Sequence, residues 1–173
     1  RTYESENQKI TVMAINALSD QEDITNRINQ EKSTGAYIIV FPHWGNEYQK
    51  THSSSQERLA HSWIDAGADL VVGSHPHVIQ DAEIYDEKPI FYSLGNLLFD
   101  QFFSKETQEG LIIAGKISDD KLTLVLLPIK INNLQPELMR GKERQEIINR
   151  LKQNLGADIS QTGYGYDIVE TMR

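Results

Sequence analysis

Residues 36–41, AYIIVF, run directly into Pro42-His43-Trp44-Gly45-Asn46-Glu47-Tyr48, and the reading of this stretch decides the fold. Six nearly continuous apolar residues, rich in β-branched types, bounded by Gly35 and Pro42, are the mark of a strand covered on both faces. A strand covered on both faces belongs to a parallel sheet with helices packed against it. The polar segment that follows then leaves the C-terminal end of a buried strand, the edge at which open α/β sheets bind ligands.

Working outward, residues 10–17 (ITVMAINA) read as a preceding buried strand, and residues 20–33 as a connecting helix. Asp20 is its expected N-cap, with Asp23 three residues later, Ile24 and Ile28 at helical spacing, and Gly35 as the stop. Downstream, residues 54–66 carry Leu59, Trp63 and Ile64 as the expected buried face of a second helix ending at Gly67. Residues 69–73 (DLVVG) are the next buried strand. Strand, helix, strand, helix, strand predicts parallel βαβ units. The pattern then changes to antiparallel hairpins: residues 82–86 with 89–94 around Asp86-Glu87-Lys88, and 110–118 with 121–130 across Asp119-Asp120. Residues 141–155, with Ile147, Ile148 and Leu151, predict a terminal helix. Residues 1–9 read as a frayed polar start, and residues 159–173 show little periodicity. The fold class is α/β.

Bulk composition narrows the function. The 173 residues carry 17 Lys and Arg against 25 Asp and Glu, a net charge of −8. That balance excludes a general nucleic-acid binder, which needs surplus cations to displace counterions. There is no cysteine, so disulfides and thiolate ligands are excluded and any metal must be held by His and carboxylates. No apolar run approaches the ~20 residues of a membrane helix, and no signal peptide is visible. The chain opens at Arg1 without an initiator Met, which reads as a cut in a longer protein.

Two loops carry candidate chemistry, each directly after a buried strand. The first holds His43, Trp44, Glu47 and Tyr48; the second is Ser74-His75-Pro76-His77. Extended backbone would place His75 and His77 on one side, their Cα atoms roughly 6–7 Å apart. That spacing suits one imidazole on each of two metal ions about 3.5–4 Å apart. Pro76 should hold His75 in extended geometry. His43 offers a further ligand. The plainer alternatives are hydrogen-bonded loop histidines, loop-packing roles for Trp44 and Tyr48, and a solvated or ligand-supporting Glu47. His52, in a Ser-rich loop, and His61, on a helix, read as structural. Residues 91–101, FYSLGNLLFDQ, read on residue type alone as a strand entering a tight turn.

The blocks FPHWGNEY (41–48), AGADLVVGSHPHV (66–78) and KPIFYSLGNLLFDQ (88–101), in this order and spacing, resemble the CapA-type poly-γ-glutamate capsule synthesis proteins. The resemblance spans residues 10–135, leaving 136–173 as a terminal helix and tail. It implies part of a metallophosphatase-like α/β/β/α sandwich, similar to the calcineurin-like enzymes, with a centre of two divalent ions (Mn, Fe or Zn) at the strand ends. His43 and His75 would bind one ion and His77 the other. Trp44, Glu47, Tyr48, Asn96 and Asp100 stand at positions that would face substrate or support the ligands, and no catalytic residue is assigned.

The family's earlier aspartates and Asn-His block have no counterpart here, which identifies the chain as the C-terminal half of such a domain. Without a bridging carboxylate, mutual repulsion should leave metal binding weak and the isolated half inactive. The resemblance implies a role in making or exporting capsule polymer as a metal-dependent hydrolase. A non-catalytic polymer-binding or anchoring component and a phosphoesterase unrelated to capsule are the alternatives. Expected partners are poly-γ-glutamate or a phosphoester, the missing N-terminal half, other capsule synthesis proteins and a second copy of the fragment. The expected location is the extracellular face of a bacterial cell membrane, with an anchor upstream.

Overall fold

A computed structural model describes residues 1–5, 8–19, 23–118, 121–155, 159–161 and 167–172. The predicted strand-helix alternation is present. Strand β2 (Gln8–Asn16) leads through α1 (Thr25–Lys32) to β3 (Tyr37–His43), then through α2 (Ser54–Asp65) to β4 (Leu70–Val72). These three strands pair in parallel, β2 with β3 and β3 with β4. The hairpin β5 (Ala82–Tyr85) and β6 (Lys88–Phe91) completes the sheet, β6 lying parallel to β4. Its turn residues Asp86 and Glu87 have φ of 47° and 62°, the twist that a two-residue hairpin demands.

Several expectations need correction. Residues 1–9 are not simply frayed: β1 (Thr2–Ser5) pairs antiparallel with β2 and gives the sheet the order β1-β2-β3-β4-β6-β5. Helix α1 begins at Thr25, where Asp23 Oδ1 accepts from the Thr25 amide at 2.9 Å and its hydroxyl at 2.6 Å. Those bonds hold the Asp23 carboxyl below its ordinary pKa. The N-cap expected at Asp20 lies outside the described residues. The aperiodic C-terminal region also supplies strands.

A second, antiparallel sheet contains β7 (Glu109–Ser118), β8 (Lys121–Asn132), β10 (Ile159–Gln161) and β11 (Asp167–Met172) in the order β10-β11-β8-β7, with β9 (Gln135–Leu138) pairing with β8. Asp167–Met172 joins that sheet through six paired positions on β8, a long-range partnership that no local periodicity announces. Turn residues Asn133 and Leu134, both at positive φ, connect β8 to β9.

Two cores follow from this layering. Ile28 of α1 and Ala60, Trp63 and Ile64 of α2 pack on one face of the parallel sheet against Ile38, Val40 and Val71. The other face, through Tyr37, Leu70, Val72 and Phe91, meets Leu122, Leu124 and Leu126 of the antiparallel sheet. Helix α3 (Gly141–Leu155) buries Ile147, Ile148 and Leu151, as its spacing predicts, into this second core. Where β2 and β3 face β7 and β8, the sheets leave an open apolar gap of about 400 Å³ lined by Ile10, Ile39, Phe41, Ile113 and Ile117 among others.

At the start of β3 the chain solves a burial problem. Asp69 is 1% exposed, and its Oδ2 accepts from the Ile38 amide at 2.9 Å while Oδ1 accepts from Lys32 Nζ at 2.6 Å. Both oxygens of a carboxylate that burial would otherwise penalise are thereby satisfied.

Candidate metal centre

The C-terminal ends of β3 and β4 bring the candidate loops together. Beyond the regular strands the parallel ladder continues: Ser74 N–H donates to the Pro42 carbonyl at 2.9 Å, and Trp44 N–H donates to the Ser74 carbonyl at 3.0 Å. His43 is thus placed directly across from Ser74, whose Oγ lies 3.4 Å from His43 Nδ1. Further out, the Tyr48 amide donates to the Pro76 carbonyl at 2.8 Å, joining the two loops again.

The three histidines converge. The rings of His43 and His75 have centroids 4.6 Å apart, and those of His75 and His77 are 6.0 Å apart. Ligand atoms of Glu47, His75 and His77 all lie within 4.8 Å of one another. Glu47 Oε1 is 3.9 Å from His77 Nε2. Burial and, next, the neighbouring His43 push the His75 imidazole below its ordinary pKa, with Glu47 pulling the other way. A neutral imidazole is the form that donates a lone pair to a metal.

The route to this convergence differs from the expected one. His75 and His77 are not extended: their φ values are 101° and 60°. Pro76, itself buried, sits between two left-handed residues, and the tight loop rather than a strand pleat directs both rings toward Glu47. Left-handed backbone at non-glycine residues is costly and tends to concentrate at functional loops. Glu47 stands with His75 and His77, and the exposed His43 lies beside His75, its ring centroid 4.6 Å away.

Trp44 is turned into the interior. It is 1% exposed, stacks between Trp63 and Tyr92 at centroid distances of 5.4 and 5.8 Å, and donates from Nε1 to the Tyr92 carbonyl at 2.8 Å. This packing is what its loop-packing alternative describes, and it places the indole beneath the strand tips. Tyr48 stacks against His77 at 6.0 Å, 41% exposed. Asn96 is buried, with Oδ1 2.9 Å from His77 Nδ1. Asp100 is exposed on the loop after β6, between Phe99 and Gln101, and is not among the residues whose ligand atoms gather with Glu47, His75 and His77. His52 and His61 take the structural parts expected of them: His52 Nδ1 lies 2.9 Å from Asp81 Oδ1, and His61 Nε2 lies 2.7 Å from Glu83 Oε1.

Other supports were not visible beforehand. Gln56 and Gln80, both 2% exposed or less, form a buried amide chain. Gln56 Nε2 donates to Gln80 Oε1 at 2.9 Å, and Gln80 Nε2 donates to the carbonyls of Gln49 and Thr51. This chain pins the segment that carries Glu47. Phe99 and Phe103 flank the cluster, Phe99 4.9 Å from the His77 ring and Phe103 edge-on to Tyr48 at 5.1 Å. A glutamine or phenylalanine in isolation carries no signal of such a role; only the folded neighbourhood supplies it.

An α/β sheet that carries histidines and a carboxylate on the loops after adjacent parallel strands defines the class: a chain with a metal-site-like cluster at a sheet's C-terminal edge. Residues 1–101 match the family model described as bacterial capsule synthesis protein PGA_cap, and the chain belongs to that family. It is similar to the capsule biosynthesis protein CapA of Bacillus anthracis, 35% identical over 117 residues that cover 67% of this chain and 28% of that protein. The PGA biosynthesis protein CapA of Bacillus subtilis (strain 168) is 39% identical over 94 residues, 54% of this chain and 25% of that protein. A probable polyglutamine synthesis accessory protein of Mycobacterium tuberculosis (strain ATCC 25618 / H37Rv) is 28% identical over 122 residues, 66% of this chain and 32% of that protein. The chain therefore spans about a quarter to a third of the length of these relatives.

Proposed function

We propose that this chain acts in the synthesis or export of a capsule polymer of the poly-γ-glutamate type and carries part of a metal-dependent hydrolase centre of metallophosphatase character. The single observation that carries the reading is the gathering of ligand atoms from Glu47, His75 and His77 within 4.8 Å, at the ligand-binding edge of a parallel sheet. Two imidazoles and a carboxylate are a donor set that suits Zn, Mn or Fe. The fit is close but open: donors sharing one ion at bond lengths of about 2.0–2.2 Å sit nearer one another than this, so the exposed Glu47 side chain would swing inward by a rotamer change.

A divalent ion held there would supply Lewis acidity and an acidified water for cleaving a phosphoester or an acyl bond. The chain's own residues supply the rest. Tyr48 and Phe99 restrict the tilt of His77, and Trp44 fixes the level of the strand tips. His43, at the rim, is available to a second ion if another segment contributes a bridging carboxylate. Substrate, the remaining part of a longer polypeptide, other capsule synthesis proteins and placement on the outer face of the cell belong to the same proposal. No helix among the described residues is long and apolar enough to cross a membrane.

Calorimetric titration of the 173-residue chain with Zn²⁺, Mn²⁺ and Co²⁺ tests the reading. Saturable binding of one ion, lost in His75→Ala and in Glu47→Ala but kept in His61→Ala, is the expected result. Equal binding in all four proteins would overturn it.

A further inference from the structure

We infer that Asn96 is a positioning residue that holds His77 as the Nδ1–H tautomer and so presents its bare Nε2 to Glu47 and His75; the inference deepens the metal reading above and rests on it for its purpose, though not for its test. Asn96 Nδ2 donates to the Thr107 carbonyl at 2.9 Å, in a buried setting, and to Gln101 Oε1 at 3.3 Å. A carbonyl can only accept. The nitrogen of the Asn96 amide must therefore face Thr107, which turns its oxygen toward His77.

The oxygen in turn dictates the proton on the ring. Asn96 Oδ1 has no hydrogen, so the 2.9 Å contact to His77 Nδ1 is a hydrogen bond only when that nitrogen carries one. In the neutral ring Nε2 then has the free lone pair, and Nε2 is the atom that lies 3.9 Å from Glu47 Oε1. A partner on one imidazole nitrogen that fixes which other nitrogen binds the metal is a recurring device of metal sites.

The anchor is rigid. Asn96 is 6% exposed and Thr107 is 1% exposed, and the Thr107 hydroxyl donates to the Gln101 carbonyl at 2.7 Å. Gln101 Nε2 reaches the Tyr48 hydroxyl at 3.1 Å, and the Tyr48 ring stacks on His77. A closed circuit thus runs from His77 through Asn96, Gln101 and Tyr48 back to the His77 ring. Close packing sets its register: a Cβ on Gly110 would collide with the Asn96 carbonyl, and one on Gly95 with the Glu109 carbonyl.

Long-range ¹H–¹⁵N correlation spectra of the metal-free chain, at a pH where the imidazoles are neutral and with His77 assigned by its loss in His77→Gln, report the tautomer directly. The expected result is Nδ1–H for His77, converted to a mixture dominated by Nε2–H in Asn96→Leu. Asn96→Asp, which keeps an acceptor for the ring, should retain Nδ1–H. Zn²⁺ affinity should fall about 10–100-fold in Asn96→Leu and by much less in Asn96→Asp. Finding His77 as Nε2–H in the unsubstituted chain, or Nδ1–H surviving in a folded Asn96→Leu, would overturn the inference. If Asn96→Leu does not fold, the unsubstituted chain and Asn96→Asp still decide it. The tautomer is read without metal. Absent Zn²⁺ binding with the expected tautomer would sink the metal reading alone, whereas Zn²⁺ binding with the opposite tautomer would sink this inference alone.

Discussion

Gly73 shows how a single residue governs the candidate centre. A Cβ at this position would collide with the Tyr92 carbonyl and the Trp44 indole nitrogen, the two partners of one buried hydrogen bond. Gly73→Ala is therefore expected to displace Trp44 and to lower stability by about 1–3 kcal/mol, seen as a reduced urea midpoint. Because Ser74-His75-Pro76-His77 follows immediately, the same change should also weaken Zn²⁺ binding. Asp69 is a second such residue, acting through the strand that carries His43. Asp69→Ala leaves the Ile38 amide buried without its acceptor and should cost about 1–3 kcal/mol by the same measurement. Lys32, 39% exposed in its side chain, can turn to water, so the loss should stay well short of that for a fully buried ion pair.

At the scale of elements, α2 is defined at its start by a capping box. Ser53 Oγ accepts from the Gln56 amide and Gln56 Oε1 accepts from the Ser53 amide. Ser53→Ala should lower stability by about 1 kcal/mol, measured by thermal unfolding, while leaving Glu47 and the histidines in place. Element boundaries also show what the sequence alone made legible. Residues 36–41 and 69–73 announced their strands because double-sided burial writes an uninterrupted apolar run, and Ile147, Ile148 and Leu151 announced α3 because one-sided burial writes a helical period. Residues 2–5 and 167–172 did not announce theirs. Their pairing lies with β2 and with β8, and a strand specified by a distant partner leaves little local pattern. The candidate site divides in the same way. Histidines at strand ends were visible as residue types in a loaded position. The left-handed φ of His75 and His77 was not, since Pro76 argued locally for extended backbone and the tertiary loop geometry prevailed over it. On residue type alone Asn96 read as a turn residue, because its partners, His77 and Thr107, are 19 and 11 residues away; only the family resemblance marked it as a residue facing substrate or supporting the ligands.

For the molecule as a whole, electrostatic linkage offers a test independent of metal. The hydrogen bond from Lys50 Nζ, at 2.6 Å, is the main cause that lowers Glu106 from 4.5 to about 2. This pair ties the segment after β3 to the turn before β7. A carboxyl depressed in the folded state adds stability that is present above its unfolded pKa and lost as pH falls through the folded value. The contribution should therefore be intact above pH 4.5 and decline toward pH 2. Lys50→Met should flatten that part of the curve of urea midpoint against pH. Its size will be modest, because Lys50 is half exposed and water screens the pair. Ligand linkage works in the opposite sense: Zn²⁺ at 100 times its dissociation constant should add about 2.7 kcal/mol to the unfolding free energy of the chain, an increment that chelation removes.

The two left-handed histidines set durability against competence. Non-glycine residues at such φ carry roughly 1–2 kcal/mol of steric cost, and glycine in their place gives back about 0.5–1 kcal/mol in chain entropy. His75→Gly should thus yield a chain slightly harder to unfold, by about 0.5 kcal/mol, yet unable to gather its donors. A campaign that ranked variants of this domain by melting temperature alone would reward erasing the very loop that carries the proposed metal donors.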